Sequence, residues 1–212
     1  LGMAGYPAQA EEIQIARDIA LCELTSCPLH IQHLTTAEGA ALVAHAKEKG
    51  LPVTCEVTPH HLFLCEDDID DTYDTNLKMN PPLRTREDMM ALRSLLADGM
   101  VDCVATDHAP HASHEKALEF ELAPFGMIGL ETALPLMLTE LVLPGKMSWN
   151  RLVEVMAVNP RRILGLEPVR FEAGNVADLT VIDPDAQWTV TEDGFESKAR
   201  NSGFIGRTLT GR

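Results

Sequence analysis

Three short β-rich runs, residues 29–34 (LHIQHL), 51–58 (LPVTCEVT) and 101–106 (VDCVAT), constrain the fold most, because a stretch with helical periodicity precedes each. Over residues 8–25 the apolar side chains Ile13, Ala16, Ile19, Ala20 and Leu24 recur at helical intervals, with Glu11, Glu12, Arg17 and Asp18 between them. Thr36 reads as the N-cap of a second helix over 37–49 that Gly50 closes, and a third over 85–97 stops at Asp98-Gly99. Further helices are expected at 130–143 and 148–158. Helices alternating with strands imply βαβ units, a parallel sheet and an α/β fold. In such folds the residues after each strand carry the chemistry, because loops and helix N-termini converge there.

From about residue 166 the pattern changes. Residues 176–183 (VADLTVID) and 187–190 read as strands around Asp183-Pro184-Asp185, with no long helical period after them. The expected organisation is therefore an α/β part, residues 1–165, and a small β region, residues 166–212.

Each of the three strand ends delivers metal-binding residue types: His33 after the first, His60-His61 after the second, and Asp107, His108 and His111 after the third. Zinc accepts imidazole nitrogen and carboxylate oxygen in sites of about four ligands, with one position open in catalysis. A lone histidine is more often a hydrogen-bonded structural residue, so the clustering carries the signal. His30 and His33 both lie near the first strand, where an odd separation puts side chains on opposite faces. His33, nearer the C-terminal end, is the expected metal ligand, and His30 is expected to be packed or turned outward. Asp107 ends an apolar strand, where a carboxylate is costly unless paired or metal-bound. Bound through one oxygen, it keeps the other free to take a proton from a water that the metal has acidified, serving as ligand and general base. His60-His61 follows a turn at Pro59 and reads as structural; His45 and His114 read as surface or core residues, and the run 66–71 as a solvated acidic loop.

Composition narrows the partners. A formal net charge of −15 repels phosphate backbones and anionic lipid, so neither nucleic acid nor a membrane is expected. A local cation can still reverse the sign inside a pocket and admit a small anion. Five scattered cysteines without a CxxC pair argue against a disulfide framework and for a reducing, cytoplasmic setting. The apolar stretch 125–143 is broken by Glu131 and Glu140 and reads as a helix packed on a core rather than a membrane span.

The segments HIQHLTT (30–36), EVTPHHLFL (56–64), KMNPPLR (78–84), ATDHAPH (105–111) and PFGMIGLETALPL (124–136) together resemble dihydroorotase of the bacterial, longer-chain type, in the amidohydrolase superfamily. The closing ADLTVIDPDAQWTV and SKARNSGFIGR are similar to that family's C-terminal β region. The resemblance implies a (β/α)8 TIM-like barrel with one or two zinc ions at its mouth, interconverting dihydroorotate and N-carbamoyl-L-aspartate in pyrimidine biosynthesis. It matches His33 to the sixth-strand histidine ligand and Asp107 to the eighth-strand aspartate that ligates metal and shuttles the proton. Asn80 and His111 match residues that hold the substrate carboxylate and ring, and the backbone at Phe125-Gly126 matches the loop against the ring. It also implies a homodimer and association with aspartate transcarbamoylase.

The family's first-strand HxH pair, fourth-strand bridging ligand and fifth-strand histidine have no counterpart in this sequence, which opens in what corresponds to the loop after the fifth strand. Three strands cannot close an eight-stranded barrel. A partial barrel of about the last three strands is expected, in a fragment that alone binds zinc weakly and does not turn over. Two other readings stay open. One is an allantoinase or dihydropyrimidinase sharing the metal and cyclic-amide chemistry. The other is a non-catalytic dihydroorotase-like scaffold for aspartate transcarbamoylase.

Overall fold

A computed structural model describes residues 2, 5–168 and 170–212; the expected opening loop at Leu1 and Met3 lies outside them. Helix α1, Ala8–Thr25, has its expected bounds and ends where Ser26 turns left-handed and its N–H bonds Cys22 O. Strand β1 (Leu29–Ile31) leads to α2 (Ala37–Glu48), whose N-cap Thr36 accepts from Gly39 N at 3.0 Å. Strand β2 (Val53–Val57) feeds α3 (Pro59–Phe63), a short helix not expected from the sequence; Thr58 caps it and Pro59 opens it, a position that suits its missing N–H. Helix α4 (Arg86–Asp98) runs from its Thr85 cap to Gly99, whose φ of 96° is glycine territory, and leads to β3 (Cys103–Val104).

The three strands form one parallel sheet in the order β1-β2-β3, with Ile31 opposite Cys55 and Glu56 opposite Cys103. They are shorter than the runs expected over 29–34 and 101–106. The chain leaves the ladder just before the residues of interest: His33 and Asp107 adopt left-handed φ of 53° and 45°, which L side chains occupy at a cost.

Beyond β3, α5 (Ser113–Lys116) follows the third strand end, and α6 (Leu130–Met137) continues into a π-helical turn, Leu138–Val142. Helix α7 (Trp149–Val153) passes through a second π turn, Glu154–Val158, into α8 (Asn159–Ile163). The expected helix at 148–158 is thus a composite. Strand β4 (Gln187–Thr189) pairs antiparallel with β5 (Thr208–Thr210), a partner the sequence reading missed.

The expected strand at 176–183 does not form among the described residues. Val176 and Val181 are 88% and 91% exposed, and β-rich composition gains little without a neighbouring strand and a surface to bury. Residues 187–212, by contrast, share the core of the α/β part: Val190, Phe204 and Leu209 are buried in the same cluster as Val57, Leu136 and Leu141. Arg207 also donates to Phe63 O at 3.2 Å.

One buried polar network holds the segment after β1. Arg84 donates to Thr35 Oγ1 (3.0 Å), Tyr6 O (2.7 Å) and Glu11 Oε2 (3.2 Å), while Glu11 Oε1 accepts from Thr35 N at 2.8 Å. A buried carboxylate and guanidinium are tolerated because each has several partners. The network ties Thr35 to Glu11 of α1. Lys47 of α2 pairs with Asp102 at 2.6 Å, and the same carboxylate oxygen accepts from Cys55 N of β2. Leu92 and Leu96 of α4 are fully buried, so truncating either to alanine costs about 2–5 kcal/mol.

Candidate metal centre

The two residues expected to share a cation do meet. His33 Nε2 lies 3.7 Å from Asp107 Oδ1, although the two come from β1 and β3 with β2 between them. Donors about 2.0–2.1 Å from one tetrahedral zinc stand about 3.3 Å apart, so the observed separation needs only a small adjustment. Both residues are also among the four non-glycine residues with positive φ in the described chain, beside Ser26 and Tyr73. Strain at both members of a converging pair marks a site whose geometry the surrounding structure imposes.

Glu56 of β2 completes the local arrangement. Its Oε2 lies 3.1 Å from His30 Nε2 and its Oε1 lies 3.0 Å from His33 Nδ1. The His33 contact is at hydrogen-bond distance but off the ideal axis, since neither Nδ1 nor Oε1 has an aligned partner. Burial pushes the Glu56 carboxyl upward, but His30 and His33 outweigh it and hold it at about 2. Glu56 in turn raises His33, against the lowering effect of burial and with help from Asp107. Two carboxylates around one half-buried imidazole make a place that favours positive charge. The donor set fits a divalent cation: Nε2 of His33 faces Asp107 while Nδ1 faces a carboxylate, the pairing that orients metal-bound histidines.

The expectation for His30 is corrected here. Strand alternation assigned it to the face opposite His33, but β1 ends at Ile31, so alternation does not extend to residue 33. The left-handed turn brings both imidazoles to the two oxygens of Glu56. The Thr54 hydroxyl, 2.8 Å from His30 Nδ1, leaves Nε2 to donate to Glu56. His30, Glu56 and Cys103 hold potential ligand atoms within 4.8 Å of one another. Burial pushes the Cys103 thiol up to about 12, with the nearby Glu56 adding to it, so it stays protonated.

His60 and His61 are both buried. His61 Nε2 donates to Pro81 O at 2.9 Å and its Nδ1 lies 2.8 Å from Thr58 Oγ1; burial drives it down to about 3, keeping it a neutral structural bridge. His60 is pushed down by burial and then by the neighbouring His61, and its Nε2 has no hydrogen-bond partner among the described residues. His108 Nδ1 accepts from Gly129 N at 3.1 Å, at the start of α6.

The expected substrate-side residues form a second group on the rim. His111 Nε2 donates to Phe125 O at 2.8 Å. Gly126 N donates to Lys78 O at 2.8 Å, which ties the loop to the segment leading to exposed Asn80. Gly126 has φ of 102°, and a Cβ there would meet Ala109 Cβ at 2.6 Å, so this position needs glycine twice over. Phe125 is half exposed, with Lys78 Nζ 4.6 Å from its ring centre. Residues 107–111 connect this rim to the His33–Asp107 pair.

Sequence reasoning missed Glu56, Lys116 and Asn201. Glu56 had a signal, a lone charge inside the apolar run VTCEV, because a carboxylate enters a sheet interior only with partners. Lys116 and Asn201 had none, since their partners are backbone groups of other segments.

The amidohydrolase family model matches residues 3–202. A curated dihydroorotase of Carboxydothermus hydrogenoformans is 52% identical over 212 residues, covering all of this chain and 49% of its own length. One of Chlorobaculum tepidum is 48% identical over 223 residues, covering all of this chain and 51% of its own. The chain spans about half the length of the curated relatives it matches. Among solved structures, the L-hydantoinase (dihydropyrimidinase) from Arthrobacter aurescens superposes with a TM-score of 0.90 at 33% identity, over 97% of this chain and 46% of that one. The inactive dihydroorotase-like domain of the Chaetomium thermophilum CAD-like multifunctional protein gives 0.68 at 27% identity, over 93% of this chain and 51% of that one.

Proposed function

The chain belongs to the amidohydrolase family, and on that premise we propose that it supplies the C-terminal part of a (β/α)8 barrel whose chemistry is the reversible opening of a cyclic amide, dihydroorotate to N-carbamoyl-L-aspartate, in pyrimidine biosynthesis. The observation that carries the reading is the 3.7 Å approach of His33 Nε2 to Asp107 Oδ1 at the end of a parallel sheet. These two residues would hold zinc. Zinc, when bound, supplies a Lewis acid for a neutral amide carbonyl and acidifies water. Asp107 keeps its second oxygen to accept and return a proton. Asn80 offers an amide donor to a substrate carboxylate, His111 borders the same rim with its Nε2 held on Phe125 O, and Phe125-Gly126 forms the wall against the ring. Glu56 orients His33.

His33 and Asp107 are two of the roughly four ligands zinc requires, so the isolated chain binds the ion weakly and does not turn over. The same proposal includes a homodimer, association with aspartate transcarbamoylase and a cytoplasmic setting. The free cysteines agree with that setting, and no helix among the described residues is long and apolar enough to cross a membrane.

The similarity to an L-hydantoinase favours one second reading, a hydrolase of uncharged hydantoins. Comparing kcat/KM for dihydroorotate, hydantoin and dihydrouracil in the intact protein that carries this chain separates the two. A preference for dihydroorotate of about 100-fold or more is expected, since a site built to pair a carboxylate is left with unpaired donors by a substrate lacking it. A preference for hydantoin would overturn the assignment.

A further inference from the structure

The rim loop at residues 124–126 is held from beneath by two polar side chains. Lys116, at the end of α5, is 8% exposed. Its ammonium donates to Thr75 O at 2.8 Å, Pro124 O at 2.9 Å and Gly126 O at 2.9 Å. Three protons thus meet three carbonyls, and two of those carbonyls flank Phe125. Thr75 Oγ1 donates back to Lys116 O at 2.5 Å. From the C-terminal segment, Asn201 Nδ2 reaches Gly126 O at 3.2 Å and Ala109 O at 2.9 Å, while its Oδ1 accepts from His111 N at 3.1 Å. Both lone pairs of Gly126 O are therefore occupied, one from each residue. Burying a lysine is costly unless its protons are placed, and here each of the three has a carbonyl.

We propose that Lys116 and Asn201 are positioning residues for the substrate-facing rim: together they set the backbone of residues 124–126 and the position of His111, so that the rim histidine and the ring wall are in place before a small anionic cyclic amide arrives. The inference rests on the reading of His111 and Phe125-Gly126 as substrate contacts. Neither Lys116 nor Asn201 touches the substrate; each acts through backbone carbonyls, and through His111 N in the case of Asn201. Preorganisation of this kind lowers the ordering cost of binding without altering the bond-breaking residues. The consequence is a change in KM with little change in kcat.

The test uses the intact protein that carries this chain, with Lys116→Met, Lys116→Arg and Asn201→Ala. Lys116→Met and Asn201→Ala are expected to raise KM for dihydroorotate about 10-fold, with kcat within about 3-fold of the parent. Lys116→Arg, which keeps the charge and several donors, restores part of the loss. Hydrogen exchange read by mass spectrometry provides a second readout that does not depend on substrate. The peptide spanning residues 123–128 should exchange faster in Lys116→Met, while α4 stays protected, showing that the fold persists. Unchanged exchange at 123–128 would overturn the proposal, as would faster exchange without a rise in KM, or parallel losses of kcat and KM that Lys116→Arg does not relieve. If the unsubstituted protein turned over no cyclic amide, the functional reading would fail instead, and the exchange result would still report whether the clamp exists.

Discussion

Replacing Glu56 by glutamine removes one charge and keeps the shape, which isolates the carboxylate's role beside His33. In the parent its two oxygens lie 3.1 Å and 3.0 Å from His30 Nε2 and His33 Nδ1. A carboxyl held at about 2 instead of 4.5 is stabilised in its ionised form by about 3 kcal/mol over the protonated form. Glutamine retains a carbonyl for one imidazole but presents an NH2 group to the other, so one donor faces another. Losing one charge-assisted contact and part of the second costs about 2 kcal/mol of stability, which lowers Tm by about 4–8 °C in a chain of this size. Loss of the residue that orients a metal-bound histidine typically weakens metal binding 10–100-fold. Thermal melts of the metal-free protein and zinc titration against a competing chelator measure the two effects separately. Zinc affinity unchanged within about 2-fold, alongside a lowered Tm, would mean that Glu56 only stabilises the sheet, and the positioning argument for His33 would fall.

Asp107→Asn should retain the fold and lose about 10⁴-fold or more in kcat, because an amide neither accepts the proton nor binds zinc as well; residual activity within 10-fold of the parent would remove Asp107 from the chemistry. His111→Ala should raise KM for dihydroorotate well above any change for uncharged hydantoin, and equal changes would contradict its place on the substrate rim. Gly126→Ala forces a Cβ to 2.6 Å from that of Ala109 at φ of 102°, so a loss of about 2 kcal/mol or more in chemical denaturation is expected. His60→Leu removes an imidazole whose Nε2 has no partner among the described residues, so stability should hold or rise by about 1 kcal/mol, and a marked loss would reveal a partner. Lys116 supplies the pH test. Burial lowers its ammonium from 10.5 to about 8, so between those values the unfolded chain holds more protons than the folded one and stability rises with pH. Below about pH 8 the full cost of the buried charge is present. The difference curve between the parent and Lys116→Met, taken from urea melts across that window, should carry this slope, and a flat difference would refute it.

How much was legible in the residues depended on whether the cause was local. Helix α1, the cap Thr36 and the terminator Gly99 were readable because hydrogen bonds within a few residues decide them. His33 and Asp107 were readable because strand ends in a parallel α/β sheet converge at one edge whatever the loops do. The failures came where a distant partner decides. Residues 176–183 have strand composition, yet form no ladder among the described residues. The partner strand β5 went unnoticed, because its pairing with β4 spans about twenty residues.

The site shows the same division at closer range. From residue types and order alone follow the α/β class, the parallel sheet, the imidazole and carboxylate at its edge, and a chemistry suited to a divalent cation. Only the tertiary arrangement decided that the chain turns left-handed at both His33 and Asp107, that Glu56 takes His30 and His33 on its two oxygens, and that Lys116 spends two of its three protons on the rim. A pattern in sequence records what each residue can do with its neighbours in the chain. Which carbonyl or carboxylate lies 3 Å away is set by packing between segments that the pattern does not order, and that packing gives these side chains their charge, their orientation and their use.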